Sequence, residues 1–357
     1  MAIDTKTLDW SKVRKFSEQL SGDIAAVMHG AMSWIGDRLG IFKAMMEAGP
    51  ITLEDLAVKA NLNQRYLKEW LGSMVAAKYI EYQADAKTYF LPPEHAVSLA
   101  DEDSLFFFGG FIGGIIPNLS VTPKVADAFR SGKGVSISDY PAEVFASLER
   151  SSGPLYKHRL VQQWVPAMPA VKAKLESGGA ALDVGCGCGR AAITLAKGFP
   201  KSRFYGFDAH PGSIDRARNN AKAASVEDRV TFEVVDCTKL PQKKFDFITT
   251  FEVVHDAVDP LGLLSAIRGA LVPDGTYLMD ELNVSANLED NINNFARMLY
   301  SVSTLYCLTT SLAHGGAGIG ALMGEPKARE LAQRAGFTQF NRLPIKDNFF
   351  AFYELRP

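Results

Sequence analysis

The chain has 357 residues, of which 47% are hydrophobic and 22% charged, and 38 Lys and Arg against 40 Asp and Glu give a net charge of −2. At about 100–200 residues per domain, this length predicts two or three domains with ample buried core. The near-neutral charge excludes a protein that binds polyanions through its overall field, and the hydrophobic content excludes a disordered chain. Four cysteines make no disulfide framework, so we expect a reducing, cytoplasmic compartment.

No segment is typical of a secretion signal or a membrane span. Residues 1–19 are polar and carry charges throughout, without an apolar core. The most apolar run, 105–117, has 13 residues, fewer than the roughly 20 that a membrane-spanning helix needs. We therefore expect no membrane partner and interpret this run as a buried helix or cap segment.

The N-terminal part, residues 1–100, predicts two amphipathic helices followed by a two-stranded hairpin, which is the order of a winged helix. It contains 11 basic and 12 acidic residues, a net charge of −1. Binding to duplex nucleic acid depends on neutralising several phosphates, for which this segment lacks the charge. We predict a dimerisation domain here, with DNA contact as the alternative. The predicted elements are helices at 53–60 and 64–77 and strands at 79–82 and 88–91.

Residues 101–175 predict a helical connector that caps a pocket, and from residue 176 strands and helices alternate. Such alternation is typical of a parallel sheet covered on both faces. The last two predicted strands are joined by three residues, so they must be antiparallel. The predicted fold class is α/β, with a Rossmann-like seven-stranded sheet after an N-terminal winged helix and a helical connector. The predicted strands are 181–184, 203–207, 230–235, 245–251, 276–280, 337–345 and 349–355, with helices at 191–198, 212–224 and 260–271.

The sharpest motif passes from a strand through glycines into a helix, with the sequence Leu182-Asp-Val-Gly-Cys-Gly-Cys-Gly189. Gly185, Gly187 and Gly189 let the backbone pass close to a ligand and leave N–H groups free at the helix N-terminus. These glycines also fit a dinucleotide fingerprint ending at Ala192, so the loop alone leaves two cofactor classes open.

Acidic residues at strand ends separate the two cofactor classes. Asp183 lies two residues before the first glycine, Gly185, and is suitably placed near a ligand ammonium group. Asp208 ends the second strand, where a carboxylate can accept both hydroxyls of a ribose. Asp236, beside Cys237, ends the third strand and is suited to accept from an adenine amino group. Phe251, at the end of the fourth strand, completes the predicted cofactor-binding set.

The acidic strand ends, the G-x-G-x-G loop and the terminal antiparallel pair together resemble the class I S-adenosylmethionine (SAM)-dependent methyltransferases over residues 180–357. The resemblance implies SAM as cofactor and S-adenosylhomocysteine as product. Cys186 and Cys188 invite a metal interpretation, but a C-x-C pair without nearby partners is poor ligand spacing. We therefore expect no metal requirement.

A histidine follows the fourth predicted strand in Phe251-Glu-Val-Val-His-Asp256, at the edge of the sheet that faces the ligand crevice. The string resembles the His-Asp of winged-helix small-molecule O-methyltransferases, whose histidine deprotonates the acceptor hydroxyl. The resemblance implies a catalytic set of His255 as general base, Asp256 beside it, and Glu281 to hold and polarise the base. A histidine with the ordinary pKa of about 6.5 is largely neutral at cytosolic pH. A substrate-binding or structural His255 stays open, since a thiol or amine acceptor can dispense with a base.

Further strings resemble a group of winged-helix SAM methyltransferases of unsettled substrate, from about residue 30 to the end. The resemblance implies a homodimer with an apolar acceptor chamber beneath helical caps. The chain departs from that pattern at Ala257, where an amide is usual, and at Tyr306, where a histidine commonly precedes the cysteine. We predict that Tyr306, Cys307 and His314 line the chamber. The strings are Leu91-Pro-Pro-Glu-His95, His255-Asp256, Ser301-Val-Ser-Thr304 and Gly315-Gly-Ala-Gly318.

Residues 282–324 are too many for a connecting loop, so we predict a cap insertion within the 176–357 domain, with a helix at 291–308 and a glycine-rich lid. The preferred function is SAM-dependent methylation of a small, partly apolar molecule at oxygen, by a homodimer joined through residues 1–100. The alternatives are S- or N-methylation, a SAM-binding protein that does not methylate, and a ligand-responsive DNA-binding regulator.

Overall fold

The computed structural model describes residues 5–357, which divide into two compact units with their boundary between Ile116 and Pro117. The first unit is mainly helical, and the second contains a seven-stranded mixed sheet. Among the described residues, no helix combines the length and the apolar character needed to cross a lipid bilayer. The predicted division at 1–100, 101–175 and 176–357 stays a prediction.

The first unit has the helix, turn, helix and wing order that the sequence predicts. Oγ1 of Thr52 accepts the backbone N–H of Asp55 at 3.2 Å, and Oδ1 of Asn63 accepts that of Arg65 at 3.0 Å. Each of the two central helices therefore begins at a residue type that favours the N-cap position. The elements are α1 (Trp10–Arg38), α2 (Ile41–Ala48), β1 (Ile51–Thr52), α3 (Leu53–Ala60), α4 (Gln64–Ala76), β2 (Glu81–Gln83), β3 (Thr88–Phe90), α5 (Pro93–Leu99) and α6 (Gly109–Leu119, at the unit boundary).

The wing differs from the prediction in two respects. It has three strands in the order β1-β3-β2, because Ile51 and Thr52 pair antiparallel with the second hairpin strand. The first hairpin strand begins at Glu81, two residues later than predicted. The reason is the end of α4, where Lys78 adopts a φ of +61° and the N–H of Tyr79 bonds back to the helix.

The second unit opens with helices before its sheet begins. A π-helix at Tyr156–Trp164 interrupts them, and its side chains pack against the sheet. These elements are α7 (Thr122–Ser131), α8 (Glu143–Leu155) and α9 (Pro169–Ser177).

The sheet confirms the predicted fold class. Its strand order is β6-β5-β4-β7-β8-β10-β9, with β4 to β8 parallel and the last two strands antiparallel. Alternate residues of β4 contribute to two separate buried clusters, Ala181 to one and Leu182 to the other, so the sheet is covered on both faces. The elements are β4 (Ala180–Val184), α10 (Arg190–Gly198), β5 (Arg203–Asp208), α11 (Pro211–Ala223), β6 (Val230–Val234), β7 (Phe245–Phe251), α12 (Pro260–Ala270), β8 (Leu271–Leu282), β9 (Gln339–Arg342) and β10 (Phe350–Arg356).

The insertion after β8 contains two helices, α13 (Asn294–Leu305) and α14 (Cys307–Ala313), before α15 (Gly324–Arg334). The single helix predicted at 291–308 is therefore wrong at its C-terminal end. The break falls at Tyr306, which has φ −139° and ψ −77°. The hydroxyl of Tyr140 donates to the carbonyl of Leu305, a carbonyl that a continuous helix would bond internally. The N–H of Val135 bonds to Thr309 within α14.

Candidate active site

The glycine loop connects β4 to α10 and has the backbone that the sequence predicts. Gly185, Gly187 and Gly189 have φ values of +71°, +49° and +77°, a region that favours glycine. A Cβ at Gly185 or Gly189 would come within 2.7 Å or 2.4 Å of a neighbouring side chain, whereas a Cβ at Gly187 would meet nothing within 4 Å. The backbone at Gly187 thus borders open space that a ligand can occupy.

The carboxylate of Asp208, at the end of β5, lies against this loop. Its Oδ2 accepts the N–H of Gly187 at 2.9 Å, and its Oδ1 accepts the N–H of His210 at 2.8 Å. Each oxygen keeps a further lone pair, so the fixed carboxylate can still accept two hydroxyls. The ring of His210 stacks on Phe145 of α8, with centroids 4.7 Å apart. A segment before the sheet therefore covers this edge of the site.

Asp236 and Cys237 lie just beyond β6. The carboxylate of Asp236 accepts hydrogen bonds from the hydroxyl and the N–H of Thr238 and pairs with Lys239. The hydroxyl of Thr238, more than the other contacts, lowers the pKa of Asp236 to about 2. The thiol of Cys237 faces the carbonyl of Phe207 at 3.9 Å. Both residues lie at the predicted strand end, and their contact with adenine stays a prediction.

Buried carboxyl groups gather at the ends of β4, β7 and β8. The hydroxyl of Thr249 donates to Oδ1 of Asp183 at 2.8 Å, while burial raises the pKa of Asp183 to about 7. Burial also raises the pKa of Glu252 to about 7 and raises that of Asp280. Tyr156 lies near all three groups. Burial disfavours the ionised form of these acids, and a nearby positive charge favours it. The group is therefore suited to bind a cationic ligand, which would lower the pKa values of the acids again.

Asp280 and Glu252 were missed by the sequence analysis. The N–H of Glu252 bonds to the carbonyl of Asp280 at 3.0 Å, where β7 ends beside β8. Oδ1 of Asp280 is buried and has no hydrogen-bond partner in residues 5–357. Glu252 directly follows Phe251, and Asp280 directly precedes Glu281, and the sequence singled out both of those neighbours. The position of each acid at the end of a strand was the signal that could have identified it.

Phe251 packs into an aromatic group from the segment before the sheet. Its ring centroid lies 5.0 Å from that of Tyr156 and 5.9 Å from that of Trp164. The structure thus gives Phe251 a packing role between β7 and the π-helix. Its predicted contact with the cofactor remains a prediction.

His255 and Glu281 form a buried pair. Nδ1 of His255 lies 2.5 Å from Oε2 of Glu281, and Oε1 of Glu281 accepts the N–H of Val254 at 3.0 Å. Both residues are only 3% exposed. Nε2, the other ring nitrogen, lies 3.2 Å from Oδ1 of Asp256. The three residues of the predicted catalytic set are therefore together, with Nε2 as the atom that can exchange a proton.

The electrostatics of His255 differ from the expectation of a largely neutral ring. Burial disfavours the charged ring, but the carboxylates of Glu281 and Asp256 outweigh it and hold the pKa of His255 well above its usual value. The resting ring consequently favours the imidazolium form more than an ordinary histidine does. The imidazolium must lose a proton before the ring can act as a base.

The three predicted chamber residues lie in different surroundings. Tyr306 packs edge-on against Tyr140, with centroids 5.3 Å apart. Cys307 is buried, and its Sγ lies within 4.8 Å of a ring nitrogen of His255 and of a carboxylate oxygen of Asp256. His314 is exposed at the end of α14. The structure thus brings Cys307 to the catalytic set, and the contact of all three residues with an acceptor stays a prediction.

Two protein families match the chain. Residues 26–101 match an Rv2258c-like winged helix-turn-helix domain, and residues 175–341 match a methyltransferase domain. The chain is 25% identical to the sterol 24-C-methyltransferase ERG6 of Saccharomyces cerevisiae over 181 residues. These residues are 50% of this chain and 44% of that protein. The chain spans less than half the length of the curated relatives it matches.

Solved structures share the fold over nearly the whole chain. The mitomycin 7-O-methyltransferase MmcR has a TM-score of 0.72 at 17% identity, with 97% of this chain and 99% of that chain covered. Human N-acetylserotonin methyltransferase, crystallised with SAM, has a TM-score of 0.67 at 19% identity, with 99% of both chains covered. The glycine loop, Asp208 and the buried acids with the orphaned oxygen of Asp280 fit this cationic cofactor. The chain therefore carries a methyltransferase domain at residues 175–341 and an Rv2258c-like winged helix-turn-helix domain at residues 26–101.

Proposed function

We propose that this protein transfers a methyl group from SAM to an oxygen atom of a small, partly apolar molecule, with His255 as general base. The observation that carries the proposal is the buried His255–Glu281 pair, which lies beyond the end of β7, close to the buried acids. The bound cofactor supplies an activated methyl group on a sulfonium. The side chains of the protein align the acceptor with the methyl group and remove the proton from the acceptor hydroxyl.

Cofactor binding is assigned to the carboxyl ends of the strands. The glycine loop would leave space for the backbone of the cofactor to pass at Gly187. The carboxylate of Asp208 would accept the ribose hydroxyls, because loop hydrogen bonds already fix its orientation. The positively charged groups of the cofactor would lie near three acids, Asp183, Glu252 and Asp280. Burial raises the pKa of each acid, and the positive charge of the bound cofactor would favour its ionised form again.

Proton removal is assigned to Nε2 of His255. Glu281 fixes the other ring nitrogen through a hydrogen bond, which sets the orientation of the ring. Once neutral, the ring would accept the acceptor's hydroxyl proton at Nε2, and Glu281 would stabilise the imidazolium that forms. General-base help of this kind contributes about 10²–10⁴-fold to a rate.

The acceptor chamber is assigned to the side of the site that the insertion covers. Cys307 belongs to a buried apolar cluster with Leu282, Leu299 and Ala321, and Tyr306 packs against it. These surroundings favour an acceptor with an apolar body and one polar group near Nε2 of His255.

A homodimer through the first unit is part of the proposal. One face of α1 exposes large apolar side chains at helical spacing, and contiguous exposed apolar surface marks interaction sites. A second copy is the occupant we infer, because a two-fold axis brings the same stripe of each copy together. The stripe consists of Phe16, Leu20, Ile24, Val27 and Met28. The four cysteines are free thiols, which is in keeping with the reducing, cytoplasmic compartment that we propose.

The proposed function is tested with methyl-labelled SAM. The protein is incubated with the label and a metabolite extract, and labelled products are identified by mass spectrometry. We expect an O-methylated small molecule, formed at least about 10²-fold more slowly by His255→Ala. A label found on sulfur, nitrogen or carbon, or no labelled product at all, would contradict the proposal.

A further inference from the structure

The catalytic set adjoins a third group that the proposed reaction does not use. The ligand-type atoms of His255, Asp256 and Cys307 all lie within 4.8 Å of one another. The sequence carries no signal of this cluster, because Cys307 lies in the insertion, far along the chain from the His-Asp string. The cluster is separate from Cys186 and Cys188 of the glycine loop.

We propose that His255, Asp256 and Cys307 form a binding site for Zn²⁺. Nitrogen, oxygen and sulfur are the three donor types that zinc takes in proteins, and three protein ligands leave the fourth tetrahedral position for water. Bond lengths of about 2.0–2.3 Å place tetrahedral ligand atoms about 3.3–3.6 Å apart. The 3.2 Å between Nε2 of His255 and Oδ1 of Asp256 is already close to that separation.

The surroundings of the cluster suit a metal ion. Oδ1 of Asp256 is buried, and within the part of the chain that the structure describes its contact is the 3.2 Å approach to Nε2 of His255. Glu281 accepts from Nδ1 of His255, so Nε2 is the ring nitrogen that Zn²⁺ would bind, with displacement of the Nε2 proton. A carboxylate behind a ligating histidine is the usual outer-shell arrangement of zinc sites. The side chain of Asp256 is 32% exposed, which gives the ion a path from solvent.

Hydrogen bonds hold the cysteine beside the other two ligands. The hydroxyl of Ser311, on the same short helix as Cys307, donates to the carbonyl of Ala257 at 3.1 Å. The N–H of Ala317 bonds to the carbonyl of Val258 at 3.0 Å. These hydrogen bonds attach the insertion to the loop that directly follows the His-Asp pair. They therefore hold Cys307 close to His255 and Asp256.

Zinc at this site would occupy the nitrogen that the base needs. A metal-bound Nε2 has no lone pair for a proton, so the zinc form is an inhibited form. This consequence rests on the proposed function, whereas zinc binding does not.

Cobalt titration tests the site directly. Reduced, chelator-treated protein is titrated with Co²⁺, which gives a sulfur-to-cobalt charge-transfer band when a thiolate ligates it. We expect one equivalent per chain, displaced by Zn²⁺. Cys307→Ser should abolish the band, and Cys188→Ser, the matched thiol control, should keep it. No band in the parent protein, a band that survives Cys307→Ser, or a band lost in Cys188→Ser would overturn the proposal.

Two further variants keep the test decisive if Cys307→Ser unfolds. Asp256→Asn, at a partly exposed ligand, should weaken cobalt binding by at least tenfold. Glu281→Gln should weaken it about 10–100-fold, as loss of an outer-shell partner does. Unchanged affinity in both variants would overturn the site. A cobalt band in a protein whose methyl transfer Zn²⁺ fails to slow would support the metal site and contradict the base role of His255.

Discussion

His255 and Glu281 meet although 26 positions separate them, with Nδ1 and Oε2 2.5 Å apart. The other oxygen of Glu281 accepts the N–H of Val254, so a single carboxylate fixes both the ring and the loop that carries it. The parallel pairing of β7 with β8 makes this possible, because it brings the ends of the two strands side by side. The orientation of the ring is thereby set before any ligand binds.

Replacement of the histidine should separate binding from chemistry. His255→Ala should lower turnover of a hydroxyl acceptor about 10²-fold or more, because the acceptor keeps its proton. The affinity for SAM should change little, since the cofactor is assigned to Asp208 and the glycine loop. Steady-state kinetics and calorimetry measure the two effects. Unchanged turnover with a hydroxyl acceptor would remove the base assignment.

The pH dependence should reflect the raised pKa of His255. Only the neutral ring accepts a proton, so kcat/KM for the acceptor should increase with pH, and its rising limb should lie above the ordinary histidine pKa of about 6.5. Asp256→Asn removes one of the charges that favour the imidazolium and should move the limb to lower pH. A rising limb at or below the ordinary histidine pKa of about 6.5, or a limb that moves upward in Asp256→Asn, would contradict this mechanism.

The buried acids should reduce the stability of the cofactor-free protein as pH increases. Asp183 and Glu252 have folded pKa values of about 7, above the unfolded values near 4, so the native state binds more protons between these limits. Stability should therefore decrease from about pH 4 to pH 7. Asp280→Asn, which removes a neighbouring carboxylate, should raise the melting temperature at pH 8 in the absence of SAM and weaken SAM binding.

Thermal unfolding across pH, without and with SAM, measures that effect. The matched control is Asp215→Asn, because the side chain of Asp215 is 73% exposed and pairs only locally with Arg218 among its described contacts. This control should leave the melting temperature unchanged. A lower melting temperature for Asp280→Asn at pH 8 would contradict the account of the buried acids.

The exposed stripe on α1 should hold two copies together. A charge at Ile24, at the centre of the stripe, would have to be buried against the partner, so Ile24→Asp should convert the dimer to a monomer. Val58→Asp on α3 is the control, because Val58 is 82% exposed and lies outside the stripe. Analytical ultracentrifugation distinguishes the states. A monomeric parent protein, or a dimer that persists in Ile24→Asp, would refute this interface.

The sequence predicts those site residues that follow or end a single strand, because the pattern around them is local. The glycines of the loop and Asp208 follow strands with a clear apolar pattern, and both have the predicted positions. The meeting of His255 and Glu281 came from a resemblance rather than from spacing. It depends on which strands are neighbours, and the sequence pattern alone does not set that order.

Features that depend on contacts between distant segments escaped prediction. At the break at Tyr306 the hydroxyl of Tyr140 donates to the carbonyl of Leu305, and no periodicity within 291–308 records this. The half-buried Glu252 and the buried Asp280 become neighbours only because β7 lies beside β8. The raised pKa of His255 likewise depends on charges that folding brings near the ring.

Calorimetric titration of SAM into the parent protein and into Asp208→Ala tests the central claim most directly, because every assigned role assumes that the cofactor lies between the glycine loop and the end of β5. We predict one SAM bound per chain of the parent protein and affinity lowered at least tenfold in Asp208→Ala, with Asp215→Ala unchanged. Full SAM affinity in Asp208→Ala, or binding of a nicotinamide dinucleotide in place of SAM by the parent protein, would contradict it.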